Sequence, residues 1–550
     1  MRYNFAELFA GIAAEMPDRE CIVFRDRRLT YAKVAARANR LASLLIEHGI
    51  TIHRPRADLQ PWESGQDHVA LYLHNGNEYL EGMLGAATAR AASFNVNYRY
   101  VEAELAYLLD DASARAIIYH ARFAPILGAV LGSLREPPKL LLQVADESDN
   151  ALLPGALDYE DALAASTADA PRTRPDPDDL YVVYTGGTTG MPKGTLWTQG
   201  DILESAMPAF LPEGLFDAPS LADGVAKIVA GEHRVFMPLP PLMHAAAQWL
   251  AMSGFLSGGT IVFPDVVDRL DPVSVWQRID SEGVQFINLV GNAFATPMCD
   301  ALESGGFDGG SLQFVGVGGA VTSASVKNRI LKLLPHVIVG DVAGSSESGS
   351  QLTNMSTSQT PVTSGVFTAA TGTCVVDEGR TRLLDPGDTD AGWLARHSLI
   401  PLGYLGDRDK TERTFPTVSG RRMVLPGDRA RHLADGTIEL LGRDSVTINS
   451  GGEKIFAEEV EAALADHPAI KDLIVVGRPS DRWGQEVVAI VELAAGRNAT
   501  DTELLAHAGK SLARYKLPKA ILRIETLLRG PNGKADYGWA RKIAAEGVAA

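Results

Sequence analysis

The stretch YTGGTTGMPKG, Tyr184–Gly194, gathers three threonines, one lysine and four glycines. Glycine lets backbone N–H groups converge on an anion with no Cβ in the way. Thr185, Thr188 and Thr189 add hydroxyl donors, and Lys193 adds a charge. Together with Gly186, Gly187 and Gly190 they describe a phosphate cradle. A P-loop needs GxxxxGK[ST], with lysine directly after the last glycine. Here the order is Pro192-Lys193-Gly194, so that reading fails. A plain Gly/Thr linker is the bland alternative. Against it, the apolar run Leu180–Val183 leads straight into the stretch, and ligand loops follow strands of that kind.

Other residues could do chemistry, but each alone has an ordinary reading. Asp428 follows Gly427 and serves a turn as readily as a ligand. Arg443 and Asp444, beside Gly442, suit a surface ion pair worth about 1 kcal/mol at most. Lys534, after Asn532-Gly533, reads as an exposed hairpin lysine. His244 alone reads as a core histidine, and Glu347 among serines as a helix-cap partner. Cys21, Cys299 and Cys374 are scattered, with no CxxC and no Cys/His cluster, which excludes a zinc site or disulfide framework.

The elements that must carry these residues alternate. YAKVAARANRLASLLIEHGI, Tyr31–Ile50, has helical spacing and a glycine near its end. Residues 54–66 are polar and proline-containing and read as a loop. HVALYLHN and AIIYH (116–120) read as strands, with a helix over Glu78–Arg90. LYVVY (180–184), RVFMPL (234–239), TIVFP (260–264), QFINLV (285–290), LQFVGV (312–317) and HVIVG (336–340) are further β-rich runs. Such alternation predicts an α/β fold with layered, parallel-rich sheets flanked by helices. The last hundred residues read as a separate small α+β unit. It has strands at DLIVVG (472–477) and EVVAIVEL (486–493) and helices at Ala457–Asp466 and Asp501–Ala513. We therefore divide the chain at 1–442 and 443–550.

The 550 residues are 46% hydrophobic and 22% charged, an ordinary globular composition too long for one core. A net charge of -17 argues against a nucleic-acid partner bound through the whole surface. Residues 501–550 hold 9 Lys+Arg against 5 Asp+Glu, a local cationic patch of +4. No stretch approaches the ~20 apolar residues of a membrane span. The acidic, proline-bearing start MRYNFAELFAGIAAEMPDRE is no signal peptide, which points to the cytoplasm. Peripheral membrane contact and self-association stay open.

YTGGTTGMPKG closely resembles the phosphate-binding signature of the adenylate-forming superfamily of acyl-CoA synthetases, luciferases and peptide-synthetase adenylation domains. Further motifs follow in the family's order. PLPPLMHAAAQW (238–249) resembles the acyl-site motif, with His244 and Trp249. VGVGGA (315–320) resembles the segment lining the acyl pocket, with Val317 and Gly318, and the nucleotide, with Gly319 and Ala320. DVAGSSESG (341–349) resembles the adenine and magnesium motif. It contributes Asp341, Ala343, Gly344, Ser345 and Ser346 to nucleotide binding and Glu347 to the metal. LPGDRARHLADGTIELLGRDS (425–445) resembles the ribose and hinge region, with Asp428 and Arg443. INSGGEKIFAEEVEAAL (448–464) resembles the start of a mobile C-terminal domain, where Gly451, Gly452 and Glu453 would line the CoA tunnel. RYKLPKAI (514–521) and PNGKAD (531–536) complete the set, with Lys534 as catalytic lysine.

The resemblance implies ATP, Mg²⁺ and CoA as cofactors and a two-step reaction. A carboxylate attacks the α-phosphorus of ATP; then the small domain rotates and CoA takes the acyl group. Glu347 would hold Mg²⁺, Asp428 the ribose hydroxyls, and Lys534 would bridge carboxylate and α-phosphate; Lys534, Glu347 and His244 form the catalytic set. The wording around residues 197 and 344–351 is similar to fatty-acyl and steroid-side-chain CoA ligases, and the mostly small or apolar acyl wall suits an apolar acid. Ala343 departs from the aromatic residue common at the adenine, and Ser445 from a charged hinge residue, leaving Asp444 or Ser445 as the hinge. Two other readings compete: an acyl-AMP ligase loading a separate carrier protein, and a catalytically silent nucleotide-binding protein.

Overall fold

Each apolar run read as a strand overlaps one, and further strands, Glu20–Phe24, Ala92–Asn95 and Gly392–Arg396 among them, lie outside those runs. His68–Tyr72 is buried at all five positions, as is Gly392–Arg396, the pattern of strands covered on both faces. Helices begin where side chains can cap them: Thr30 accepts from the Lys33 amide to start Tyr31–Glu47, and Asp271 accepts from Ser274 to start Pro272–Glu282. The computed structural model describes every residue except 186–190, 361, 364, 451–452, 481–482, 530–532 and 548–550; of 445, 453 and 454 it describes the backbone alone.

One sheet has thirteen strands. Its centre is parallel, with Glu20–Phe24, Thr260–Phe263, Val235–Pro238, Phe286–Leu289, Phe314–Gly318 and Ile338–Ser345 side by side. Beyond Ile338–Ser345 it turns antiparallel through Gly349–Ser356 and continues into strands that include Asp428–His432 and Ile438–Arg443. The second sheet has eight strands, of which His68–Tyr72, Ala92–Asn95, Ala114–His120, Leu140–Val144 and Leu180–Thr185 run parallel to one another. Residues of Phe5–Glu15, Tyr31–Glu47, Asn77–Thr88 and Ala245–Leu256 fill the core between the sheets. Helices Pro272–Glu282, Gly291–Glu303 and Ala324–Leu333 cover the outer face of the first sheet; Glu102–Asp111 and Ala124–Leu131 cover that of the second. The result is a layered α/β body.

The glycine–threonine stretch does not lead into a crossover helix. Leu180–Thr185 is followed by an antiparallel return, Lys193–Thr198, with Thr185 opposite Lys193, so the flanks of the stretch pair as the two arms of a hairpin. The C-terminal residues build a separate five-stranded sheet with its own cores on both faces. Ile470–Ser480 and Gly484–Leu493 form its antiparallel centre; Ala520–Ile524 and helix Tyr537–Glu546 complete it beyond what the sequence pattern indicated. Among the described residues, no helix is long and apolar enough to cross a membrane.

Candidate active site

Buried asparagines fix the first two motifs to each other. Asn95 Nδ2 donates to the carbonyls of Tyr184 and Met243, both at 2.7 Å, while its Oδ1 accepts from the Tyr184 amide at 2.8 Å. The threonine hairpin and the turn before His244 are thereby set at one spacing. Asn75 holds the same turn from behind, accepting from Leu242 at 2.6 Å and donating to Pro240 at 3.1 Å. His244 opens helix Ala245–Leu256. Burial, with Lys534 and Arg99 nearby, pushes its imidazole down to about 3, so the ring is neutral at working pH. Its Nε2 is buried without a hydrogen-bond partner.

The serine-rich motif forms the tip between Ile338–Ser345 and Gly349–Ser356. A Cβ on Gly344 would come within 2.0 Å of the Gly349 carbonyl, so only glycine lets these strands close. Ser345 Oγ accepts from the Glu347 amide at 3.2 Å, and Trp197 Nε1 donates to the Ser346 carbonyl at 2.7 Å. Buried Arg396 donates to the Ser348 carbonyl at 2.8 Å and to Ser205 Oγ at 2.7 Å. Glu347 accepts from the Tyr404 hydroxyl at 2.9 Å.

Tyr404 ends the short strand Gly403–Tyr404, and the turn after it leads through Asp407 into the helix that carries Lys410. Asp407 pairs with Lys193 at 3.0 Å and caps helix Arg408–Thr414. The Lys410 ammonium lies 4.5 Å from the Tyr404 ring centre. Its pKa is lowered by burial and by neighbouring Lys193. Residues 54–66, read from sequence only as a loop, brace this turn: the Gly406 amide donates to the Trp62 carbonyl at 2.8 Å, and Arg408 stacks over the Trp62 ring. Two lysines and a glutamate thus meet beside the mouth of the threonine hairpin.

Asp428 and Arg443 are cross-strand partners, so their side chains share a face and pair at 3.3 Å. Asp428 is the main cause that raises the Arg443 guanidinium; burial raises the Asp428 carboxyl despite Arg443. Lys534 arrives from the other unit. A Cβ on Gly533, just before it, would lie 3.3 Å from Val290 Cγ1 and 3.8 Å from Ala293 Cβ, at the start of helix Gly291–Glu303. Lys534 is exposed. Desolvation and Arg443 lower its pKa, while Glu347 and Asp428 pull it up. Lys534 therefore lies close enough to Glu347, Asp428, Arg443 and His244 for their charges to act on one another.

The remaining assigned residues divide. Gly318, Gly319 and Ala320 lie at the end of strand Phe314–Gly318 and just beyond it, Gly319 with φ +73°. Trp249 packs partly buried on the central core, and Ala343 sits in the strand before the serine tip. Val317 corrects its acyl assignment. Strand pleating turns it with Val315 into the helix-covered outer core, away from Trp249. Asp341 is likewise turned, its carboxylate held at 2.9 Å by Lys327, so it supports the strand rather than facing a nucleotide. Gly186, Gly187, Thr188, Thr189, Gly190, Gly451 and Gly452 lie outside the described residues, as does the side chain of Glu453.

The AMP-binding enzyme family matches residues 9–398, and the AMP-binding enzyme C-terminal domain matches residues 459–534. The chain belongs to the AMP-binding enzyme family. A medium-chain acyl-CoA ligase, Mig, of Mycobacterium avium is 52% identical over 98% of this chain and 97% of its own length. A 3-oxocholest-4-en-26-oate--CoA ligase of Rhodococcus rhodochrous is 37% identical over 98% of this chain and 96% of its own. Among solved structures, the anthranilate CoA ligase AuaEII in complex with anthranoyl-AMP shares the fold. It has a TM-score of 0.82 and 19% identity over 100% of this chain and 98% of that one. ATP-bound MatB from Rhodopseudomonas palustris does so at TM-score 0.78 and 21% identity, over 98% and 99% of the two chains.

Within this family site, sequence reading missed Asn95, Tyr404, Lys410 and Glu458. The first three lie in short polar stretches with no spacing signal. Glu458 had one: it stands in the first turn of helix Ala457–Ala465, within the motif that follows the hinge. Its Oε1 accepts from the Arg443 amide at 3.3 Å. A Cβ on Gly442, at φ +119°, would come within 2.3 Å of its Oε2. Burial pushes this carboxyl up to about 7, and Asp428 adds to the rise. A folded-state pKa above the unfolded value favours folding at low pH and is lost as pH rises from about 4.5 to about 7. Glu458→Gln should therefore raise the thermal midpoint more at pH 8 than at pH 5; an equal change at both would contradict the protonation.

Proposed function

We propose that this chain is an ATP-dependent acyl-CoA ligase acting on medium-chain or similarly apolar carboxylic acids. A carboxylate and ATP give acyl-AMP and pyrophosphate; CoA then gives acyl-CoA and AMP. The convergence of Lys534 with Glu347, Asp428 and Arg443 carries the reading, because two anions can meet only where their repulsion is offset. The full-length relative named as a medium-chain acyl-CoA ligase supports the acid class and CoA as acceptor.

In this reading, Lys193 and Lys410 attract the phosphate tail beside the threonine hairpin. Asp428 accepts hydrogen bonds from the ribose hydroxyls, and Arg443 stays charged to reach ribose or phosphate. The neutral His244 ring walls the acyl carboxylate against the cleft. Lys534 offsets charge between carboxylate and α-phosphate. A lone Glu347, with one oxygen held by Tyr404, fits Mg²⁺, which takes few protein ligands and keeps waters and phosphates. Mg²⁺ there would neutralise charge on the phosphates. We divide the chain into 1–442 and 443–550, with the hinge at Asp444 or Ser445, and assign Gly451, Gly452 and Glu453 to the CoA path after rotation. Such a reaction draws on ATP and CoA of the cytoplasm, and we place the chain there.

The test is ATP–pyrophosphate exchange and CoA-dependent AMP release over fatty, aromatic and steroid acids. Exchange and thioester formation with octanoate to dodecanoate are expected. Loading of a carrier protein without CoA turnover would replace the acceptor. No exchange with any acid would favour the silent reading.

A further inference from the structure

We propose that the ring of Phe314 is a plug in the acyl groove and limits the length of the acid; this rests on the acyl-CoA ligase reading above. Phe286 and Phe314 are neighbours in register and face the central core, while Val315 and Val317 face the other way. On the same face as Phe314, Gly316 lies directly opposite Gly340 on the next strand, and Gly318 opposite Val342. Two facing glycines leave a trough across the sheet, and the Phe314 ring lies in it. A Cβ on Gly340 would meet Phe314 Cζ at 2.2 Å, and one on Gly316 would meet Cε1 at 3.3 Å. The ring is folded forward along its own strand onto both.

The surroundings suit a movable stop. Phe314 is only partly buried, and Phe210 meets it edge-on at 6.0 Å between ring centres. Past the ring the trough runs out between Ile338 and Met355, which are 42% and 54% exposed. At its other end, Gly318 leads to Gly319 and toward Val290, against which Gly533 sits, next to Lys534. An acyl chain with its carboxylate at Lys534 crosses Gly318 and meets the ring at Gly316. At a rise of about 3.3 Å per residue, that leaves about 7 Å beyond Gly318. A staggered methylene chain advances about 1.3 Å per carbon, so about five methylenes fit before the ring. Without the ring, the trough would continue over Gly340 to solvent.

The measurement is kcat/KM for thioester formation from octanoate and hexadecanoate in the unmodified chain, Phe314→Ala and Phe314→Trp. Burying two further methylenes is worth more than about tenfold. The hexadecanoate-to-octanoate ratio is expected to rise at least tenfold in Phe314→Ala and to fall in Phe314→Trp. Phe314→Leu, read by the same ratio, replaces the alanine variant if that fails to fold. Ratios within twofold of the unmodified chain overturn the plug alone. No thioester from either acid in the unmodified chain overturns the ligase reading and the plug with it.

Discussion

Lys534→Ala is expected to lower carboxylate-dependent ATP–pyrophosphate exchange by about 10²–10³-fold, the usual cost of one transition-state contact in a preorganised site, while ATP still binds. In the proposed function ATP binding is spread over the threonine stretch, Lys193, Lys410, Asp428 and Arg443; the last four lie on the large body or at its edge. Lys534 comes from the small unit and meets that set only where Gly533 seats against Val290 and Ala293. Its charge is depressed by desolvation and Arg443, and sustained by Glu347 and Asp428. A cation so placed gains most when negative charge develops between carboxylate and α-phosphorus, and less from bound ATP alone. The loss should fall on kcat, with the Kd for ATP nearly unchanged. Lys534→Arg should not restore the rate, because a planar fork does not replace a point charge between two crowded oxyanions. Equal losses in ATP binding and exchange would contradict this role.

Much of the large body was legible because its strands are apolar runs bounded by glycine and proline, and a buried parallel strand needs little else. LYVVY lies in a strand, and TIVFP and LQFVGV overlap strands Thr260–Phe263 and Phe314–Gly318. The hairpin at the threonine stretch was not legible, since a short apolar run does not state whether its partner returns beside it or crosses over a helix. Of the motif residues, Glu347, Asp428 and Arg443 lie close enough to Lys534 for their charges to act on it, although they are far apart in sequence.

The misread residues fail for one reason. A motif names a segment, whereas pleating assigns alternate residues to opposite faces. VGVGGA and DVAGSSESG both border the cleft, yet Val317 and Asp341 are the alternate members that look into the outer core. The same parity presents Gly316, Gly318 and Gly340 to the groove. Asn95, Tyr404 and Lys410 were illegible for another reason: each acts through a partner distant in sequence, Asn95 on Met243 and Tyr404 on Glu347. Only the fold makes them neighbours.

Lys327→Met should destabilise the large body by about 3 kcal/mol, the lower end of the 3–5 kcal/mol for breaking a buried ion pair by removing one partner. Lys327 lies on Ala324–Leu333 and is fully buried, its ammonium donating to Asp341 and to the Thr363 carbonyl, both at 2.9 Å. Methionine fills much of the same space but leaves a carboxylate and a carbonyl without their donor. The lower end applies because the Asp341 side chain keeps 18% of its exposure, so some water reaches it. Burial already raises the Asp341 carboxyl, and Lys327 holds it down. In the variant the carboxyl rises further, so the loss should shrink as pH falls toward 5, where the folded state takes up a proton and sheds the unpaired charge. Adding Asp341→Leu should recover most of the stability, since replacing both partners by apolar groups is close to neutral. Denaturation of the single and double variants at pH 8 and pH 5.5 reads all three statements. Equal destabilisation of single and double variants would show that the methionine's fit, not the stranded charge, sets the cost. Because Asp341 begins the segment that ends at Glu347, such a result would move the site's foundation from this ion pair to the packing of the helix above it.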